Sequence, residues 1–385
     1  RVVLARLADD RDRAGRPVAH GAALGEGRAA RGVGGRDADD EGDARREAAV
    51  GIHRDADLLA RAGSGVGAGV DRHGAVRRLR DEERRSRVLD AIVERVRVAD
   101  AAARGIRELD TDGSIGILSE DVDRPYARPA LSKKLWTDPD FSWDDKVDLH
   151  TEETGAQFVL GTAVTAIDRA AKTVTTADGA THGYERLLLA TGGKPRGLPG
   201  LSPSARVLDY RSASDYRRLR ELADAGAHVA VVGGGYIGQE ITAGIVQNGA
   251  RVTLVDPDEI VGGRMFPDDL ARAFQQRFVD HGVELRTGRR VSEGTETADG
   301  VRLTLDDGSV VEADAVVAGL GIEPATQLAA DAGLTVRDGI VVTSTLLTDD
   351  DSVFAAGDVA EYPDRILGTR RVEHVDNAQQ QGRQA

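Results

Sequence analysis

The spacing of apolar residues changes character near residue 98 of the chain. From there on, apolar residues recur at helical spacing in VRVADAAARGIRELD (96–110), which predicts an amphipathic helix. The following SIGILSE predicts a strand that is buried on both faces and reaches Glu120. A helix followed by such a strand is the second half of a βαβ unit, yet no glycine-rich loop stands directly before the helix.

Further elements are predicted along the rest of the chain. Pro125 and Pro129 forbid a long helix before Ser132, which we expect to cap the next helix. Short alternating stretches between 163 and 189 predict antiparallel strands with a turn at ADG. A second βαβ unit is predicted from HVAVVGGGYIGQEITAGIVQNGARVTLVDPDE (228–259). The chain stops at GRQA inside a predicted helix, so we expect that something C-terminal is missing.

The first 98 residues differ in composition from the rest. They contain 21 Arg, 18 acidic residues and no aromatic residue, whereas all fourteen aromatic residues lie at or after Tyr126. So little apolar surface cannot offset the entropy of ordering, and we expect a poorly folded or loosely helical stretch. Except for Ser64, Ser86, Ile52 and Ile92, every residue type there has codons that begin with G or C. One hypothesis is therefore an out-of-frame GC-rich gene, which would explain the missing loop; a genuine disordered extension is the alternative.

Composition also excludes several classes of function. The chain has no cysteine, so a disulfide framework, a thiolate metal site and a CxxC redox pair are excluded, and we predict no metal site. The net charge of −14 argues against a nucleic-acid partner. No apolar run reaches the roughly 18 residues of a membrane-spanning helix, so we predict no membrane span and a cytoplasmic location. The sequence leaves the oligomeric state open.

The strongest chemical signal is the glycine triplet Gly233, Gly235 and Gly238. It follows an apolar strand and opens a helix, which is the context of a dinucleotide-binding loop. The first glycine permits a tight turn, the second lets a pyrophosphate approach the backbone, and the third lets the helix pack against the strand. Asp256, 18 residues after the last glycine, is placed to bind the adenine ribose, and Asp258 is a second candidate. A carboxylate there favours NADH over NADPH; a glycine-rich turn without ligand is the alternative.

An ordered set of motifs carries a family resemblance. Glu120 at a strand end is followed by RPALSKKLW, LLLATGGKPR, VVGGGYIGQE, AGLGIEP, FAAGD and RRVEHVDNA. In this order they resemble the FAD-dependent pyridine nucleotide oxidoreductases, and within that family the ferredoxin and rubredoxin reductases and apoptosis-inducing factor. The resemblance covers about residues 99–385.

The resemblance implies an α/β fold with two Rossmann-type, three-layer nucleotide-binding domains, the FAD domain being split by an inserted NAD domain. The expected division is a leader (1–98), the first part of the FAD domain (99–207), the NAD domain (208–325) and the second part of the FAD domain (326–385). Two parts of the family pattern are not found: the first glycine loop, and the C-terminal interface domain.

The resemblance also implies which residues hold the cofactors FAD and NAD(H). Glu120 would bind the FAD adenine ribose and Asp358 the ribityl chain, while Glu373 and His374 would lie near the flavin pyrimidine edge. Gly321 would approach the NAD ribose. The remaining residues implied for FAD are Arg128, Lys133, Val164, Thr191, Gly192, Arg211 and Gly357.

Three residues are implied in catalysis. Lys133 would pair with Glu240 beside the flavin, and Tyr236 would cover the flavin and move aside for nicotinamide. The expected activity is NADH oxidation through FAD by a flavoprotein reductase. The disulfide-reducing branch of the family needs two cysteines, and this chain has none. The acceptor would therefore be external: a small iron–sulfur protein of the ferredoxin or rubredoxin type, a quinone or oxygen. The alternatives are a truncated, inactive NAD-binding fragment and a signalling role like that of apoptosis-inducing factor.

Overall fold

The computed structural model describes residues 2, 3 and 97–385. The prediction for most of the leader, including the change of frame, therefore lies outside the described residues. Strand β1 (Val2–Val3) pairs antiparallel with the strand that begins at Gly116. The first helix begins at Arg97, two residues before the expected start of the FAD domain, and Val98 is already fully buried.

The first segment runs from helix α1 to strand β8. Its helices are α1 (Arg97–Leu109), α2 (Lys134–Thr137) and α3 (Trp143–Lys146), with 3-10 turns at Arg128–Ser132 and Thr151–Thr154. Its strands are β2 (Gly116–Ser119), β3 (Gln157–Val159), β4 (Val164–Asp168), β5 (Thr173–Thr176), β6 (Thr181–Gly183), β7 (Leu187–Leu189) and β8 (Gly193–Pro195). Strands β2 and β3 are parallel, while β4, β5 and β6 form the predicted antiparallel sheet.

The inserted unit runs from β9 to β17. Its helices are α4 (Ala213–Asp224), α5 (Tyr236–Gln247) and α6 (Asp268–Asp280). Its strands are β9 (Val207–Leu208), β10 (His228–Val232), β11 (Arg251–Asp256), β12 (Glu284–Thr287), β13 (Val291–Glu296), β14 (Val301–Leu305), β15 (Val310–Ala313), β16 (Ala315–Ala318) and β17 (Ile322–Pro324). A parallel sheet has the order β12-β11-β10-β16-β9, and β13, β14 and β15 form an antiparallel sheet.

The inserted unit has three layers because alternate side chains of its strands point to opposite faces. Val229 and Val231 of β10 lie in a core with Ile241 of α5, whereas Ala230 lies in a second core with Leu303 of the antiparallel sheet. Helices therefore cover one face of the parallel sheet and β13 to β15 cover the other.

The last segment completes the core of the first. It contains α7 (Gln327–Asp331), β18 (Ile340–Val341), β19 (Val353–Ala355), a 3-10 turn (Gly357–Val359), β20 (Ala360–Asp364), β21 (Gly368–Arg370) and α8 (Val375–Gln384). Strand β19 pairs in parallel with β7, and one apolar core includes residues of both segments. The two connections to the inserted unit run side by side, because β8 pairs antiparallel with β17.

Helices α1 and α8 approach closely through glycines. A Cβ added at Gly105 would lie 2.9 Å from the carbonyl oxygen of Arg383, and one at Gly382 would lie 2.6 Å from that of Val98. The alanine-rich face of α1 thus has a specific partner more than 250 positions later in the chain. Because the partner lies in the last segment, the first segment cannot bury this face by itself.

One local prediction is wrong. Ser132 does not cap a helix: it is the last residue of the 3-10 turn, and Lys133 precedes α2 without a side-chain capping bond. The hydroxyl of Ser132 is bonded instead to a side chain of the inserted unit. Among the described residues, no helix is long and apolar enough to cross a membrane.

Candidate functional site

The glycine loop after β10 has the geometry that its spacing predicts. Gly233 has φ +106°, and a Cβ there would lie 2.5 Å from the carbonyl oxygen of Gly319. A Cβ at Gly238 would collide with the carbonyl oxygen of Gly233. By contrast, a Cβ at Gly235 would meet no atom within 4 Å, and this residue lines a cleft. Two glycines therefore permit close packing, and the middle one leaves the backbone open to a ligand.

Asp256 ends β11 directly beside this loop. Its carboxylate is buried, and it lies so close to Gly234 that a Cβ on the glycine would collide with it. Burial raises the pKa of Asp256, partly offset by backbone N–H groups of Asp258 and Gly234. Asp258 is more exposed and pairs with Arg264 at 2.5 Å. The two candidate ribose ligands therefore differ: one is fixed against the loop, and the other is held by an exposed arginine.

A cleft of about 480 Å³ brings many of the predicted residues together. Its volume lies within the range of about 300 to 1,000 Å³ typical of ligand sites. Both the glycine loop of the inserted unit and residues of the flanking segments line it. The predicted residues along the cleft are Arg128, Lys133, Arg211, Gly235, Tyr236, Gly321, Asp358, Glu373 and His374.

An ion pair joins the first segment to the inserted unit at this cleft. Nζ of Lys133 lies 2.7 Å from Oε2 of Glu240, and the hydroxyl of Ser132 donates to the same oxygen at 2.6 Å. The lysine side chain is 51 % exposed and the glutamate 27 % exposed. Tyr236, at the start of α5, is 70 % exposed. A cationic group and an accessible aromatic ring thus line the same cleft as Gly235 of the glycine loop.

A second ion pair connects the inserted unit to the last segment. Nη2 of Arg211 lies 3.2 Å from Oδ2 of Asp358, and both side chains are largely buried. Gly357 has φ +77°, and its N–H is bonded to the buried side chain of Gln381. Arg371 bonds the backbone of Asp358 and pairs with Glu373 at 2.5 Å. The FAAGD motif is therefore fixed from several sides where it meets the cleft.

The other predicted residues do not line this cleft. Thr191 and Gly192 are bonded to the backbone of Ala325, next to the antiparallel pair of β8 and β17. Val164 is fully buried at the start of β4, and Glu120 is exposed directly after β2. The remaining predicted residues that do not line the cleft have been described above: Gly233, Gly238, Glu240, Asp256, Asp258 and Gly357.

Sequence reasoning missed three residues of this site. Arg97 lines the cleft at the start of α1, but it lies in the part assigned to the leader. Tyr210 also lines the cleft, has φ +46°, and its hydroxyl bonds the carbonyl of Leu131 and the indole N–H of Trp136. The third is Ser132, whose position before Lys133 was visible but indicated only a helix cap.

A second cavity of about 400 Å³ lies beside the cleft. Phe266, Phe274 and Phe278 line it with edge-to-face ring contacts. Tyr236 borders both cavities, whereas Glu240 lines only the second one. Because Glu240 also bonds Ser132 and Lys133, which line the cleft, it stands at the boundary between the two cavities.

One group of potential metal ligands lies outside the cleft. Asp148, His150 and Glu152 place ligand atoms within 4.8 Å of one another, and all three are partly exposed. Such groups are common on surfaces without an ion, so this arrangement does not by itself indicate a metal site.

Comparison with known proteins assigns the family. Residues 99–382 match the family model described as pyridine nucleotide-disulphide oxidoreductase. The chain belongs to this family. The family prediction and the predicted fold class of two Rossmann-type nucleotide-binding domains, one inserted in the other, are confirmed. The domain boundaries and the roles of individual site residues stay predictions.

Two relatives are similar to most of the described chain. Apoptosis-inducing factor 1, mitochondrial, from Dictyostelium discoideum is 33 % identical over 308 residues, which is 73 % of this chain and 58 % of the relative. Putidaredoxin reductase from Pseudomonas putida is 33 % identical over 298 residues, 73 % of this chain and 69 % of the relative. The chain thus spans only about three fifths of the first of these relatives.

A solved structure shows the same architecture. The covalent putidaredoxin reductase–putidaredoxin complex contains a chain that matches with a TM-score of 0.68 and 31 % identity. The match covers 74 % of this chain and 72 % of that chain. The resemblance to apoptosis-inducing factor is therefore supported by sequence, and the resemblance to the ferredoxin reductases is supported by both sequence and structure.

Proposed function

We propose that the protein is a FAD-dependent NADH oxidoreductase that passes electrons to an external acceptor. One observation carries the proposal: the open glycine of a dinucleotide-binding loop, Gly235, and the ion-paired Lys133 line the same cleft. A dinucleotide held by the loop would share the cleft with the cation. This is the arrangement that a reaction between two bound cofactors requires.

The loop residues fit NADH. Gly235 leaves space for a pyrophosphate, and the N-terminus of α5 offers backbone N–H groups to its oxygens. Tyr236 lines the cleft with a 70 % exposed side chain and would have to move for a nicotinamide ring. Asp256 and Asp258 carry carboxylates near the end of β11 that favour an adenine ribose without a 2′-phosphate. We therefore propose NADH rather than NADPH as the electron donor.

In the part of the chain that the structure describes, the flanking segments and Arg211 of the inserted unit fit FAD. Arg97, Arg128 and Arg211 line the cleft and complement a pyrophosphate, and Asp358 offers a carboxylate to a ribityl chain. When bound, FAD supplies the two-electron chemistry that takes up the hydride of NADH and releases electrons to an acceptor. Lys133 holds a positive charge beside the cleft, which favours an electron-rich reduced cofactor.

The acceptor is proposed to be a small iron–sulfur protein. The sequence lacks cysteine, so it offers no dithiol that could accept electrons within the chain. A relative is named putidaredoxin reductase, and a similar chain was solved in a covalent complex with putidaredoxin. Both observations support a ferredoxin-type protein over a quinone or oxygen.

A visible spectrum of the purified chain mixed with FAD and then desalted tests the proposal. We expect a retained flavin absorption band that NADH bleaches under anaerobic conditions. Electron transfer is then measured with a [2Fe–2S] ferredoxin, a soluble quinone or oxygen as the acceptor. A colourless protein that still binds NADH would instead favour the NAD-binding fragment, and bleaching by NADPH but not NADH would overturn the assignment of the donor.

A further inference from the structure

Ser132 is the buried member of a three-residue contact that fixes Glu240. Ser132 is 5 % exposed, and its hydroxyl lies 2.6 Å from Oε2 of Glu240. An ionised carboxylate only accepts hydrogen bonds, so the serine must donate. The same oxygen also accepts the bond from Lys133, which is half exposed on the open side of the cleft. Glu240 is thus held by a buried serine hydroxyl and by a half-exposed lysine, both of which line the cleft.

The backbone that carries Ser132 is itself rigidly held. The carbonyl oxygen of the preceding residue, Leu131, accepts bonds from the indole N–H of Trp136 at 2.7 Å and from the hydroxyl of Tyr210. Both aromatic side chains are buried in the core that the first segment shares with the inserted unit. The serine hydroxyl is therefore presented to Glu240 from a fixed point.

The side chain of Glu240 borders a second cavity besides its contacts at the cleft. The lining of this second cavity includes Arg277 and His281 as well as three phenylalanines, whereas Ser132 and Lys133 line the cofactor cleft. Without the serine, the bond to the half-exposed lysine alone would keep the carboxylate at the cleft. An exposed lysine bond of this kind is weak because water and side-chain entropy compete with it.

We infer that Ser132 is a positioning residue: it holds the Glu240 carboxylate against Lys133 and so keeps the lysine charge at the cofactor cleft. The effect on turnover rests on the proposed function, whereas the hydrogen bond and its coupling do not. Ser132 acts through Glu240 and needs no contact with NADH. Its loss should therefore affect kcat more than the KM for NADH.

The hydrogen bond is tested first without any cofactor. The unfolding equilibria of the full chain are measured for Ser132→Ala, Glu240→Ala and the double variant. If the contact exists, the two substitutions are non-additive, with a coupling of about tenfold in the unfolding constant, because the bond involves a charged acceptor. Additive effects would overturn the inference whether or not the chain oxidises NADH.

The positioning role is tested on the protein loaded with FAD. We expect Ser132→Ala to lower kcat for NADH oxidation about tenfold with KM within about twofold, and Ser132→Thr to restore most of kcat because it keeps the hydroxyl. Ser142→Ala is the matched control, since Ser142 also donates to a carboxylate, that of Asp145, but on the exposed helix α3. An unchanged kcat in Ser132→Ala, or an equal loss in Ser142→Ala, would overturn the role.

Discussion

Lys133 and Glu240 lie 107 positions apart in the chain, and Nζ of the lysine lies 2.7 Å from Oε2 of the glutamate. The lysine belongs to the first segment and the glutamate to helix α5 of the inserted unit. Both side chains are partly exposed, so their attraction contributes little to stability, of the order of 1 kcal/mol or less. The importance of the pair is that it fixes a positive charge where two cofactors are proposed to meet.

Removing either partner of this pair should slow turnover. Lys133→Met and Glu240→Gln are expected to lower kcat for NADH oxidation by roughly 10- to 100-fold, as for the loss of a preorganised electrostatic group. Steady-state kinetics measures the change. Lys134→Met is the control, because Lys134 pairs with Asp138 within its own helix turn. Wild-type kcat in both pair variants would contradict a catalytic role.

Substitutions in the glycine loop should separate folding from binding. Gly235→Ala is expected to fold normally but to weaken NADH binding by at least about tenfold, because the added methyl group occupies the approach of the pyrophosphate. NADH fluorescence titration and thermal unfolding measure the two effects. Gly197→Ala is the control, since that glycine is also free of neighbours but lies outside the cleft. NADH affinity unchanged by Gly235→Ala would argue against binding at this loop.

The Arg211–Asp358 pair should affect retention of FAD. Asp358→Asn removes one charge of a largely buried pair and leaves Arg211 uncompensated, so we expect FAD to dissociate about tenfold more readily. Fluorescence of released FAD reports the dissociation constant. Asp123→Asn, which breaks the pair with Arg217 away from the cleft, should leave FAD binding unchanged. Equal losses in both variants would show a general effect on folding.

Gly244→Ala should destabilise the protein, although alanine is a better helix former than glycine. Alanine favours a helix interior by about 1 kcal/mol over glycine. A Cβ at Gly244, however, would lie 2.8 Å from Cγ of Trp136, whose ring is held by two hydrogen bonds. Overpacking of this kind costs about 1 to 3 kcal/mol, so we expect a net loss of unfolding free energy. Denaturation followed by tryptophan fluorescence tests this, and a net gain in stability would contradict it.

Tyr184 should make unfolding sensitive to alkaline pH. Burial raises the pKa of Tyr184 from 10.0 to about 12. Between these values only the unfolded chain loses the proton. The contribution of Tyr184 to the free energy of unfolding is therefore fully present below pH 10, and it falls by about 1.4 kcal/mol per pH unit as the pH rises from 10 towards 12. Tyr184→Phe should remove that share of the slope. Its hydroxyl has no hydrogen-bond partner among the described residues, so little stability should be lost at pH 7.

Much of the site could be predicted because its signals are local. Glycines at fixed spacing after an apolar strand depend on backbone geometry within one βαβ unit, and the structure has the close contacts at Gly233 and Gly238 that the spacing requires. The helices and strands follow from periodicity in the same way. The resemblance supplied the expectation that Lys133 and Glu240 meet, which periodicity alone could not give.

What the tertiary structure decided are the contacts between distant segments. The sequence suggested a helix cap at Ser132, but packing of the first segment on the inserted unit turned its hydroxyl towards Glu240. Likewise, Arg97 lines the cleft from the start of α1, a helix that packs against α8 from the far end of the chain. Backbone conformation and binary pattern are set by neighbouring residues, so the sequence by itself determined the elements and the glycine loop. The partner of a polar side chain depends on which surfaces are buried together, and that is fixed only in the folded protein.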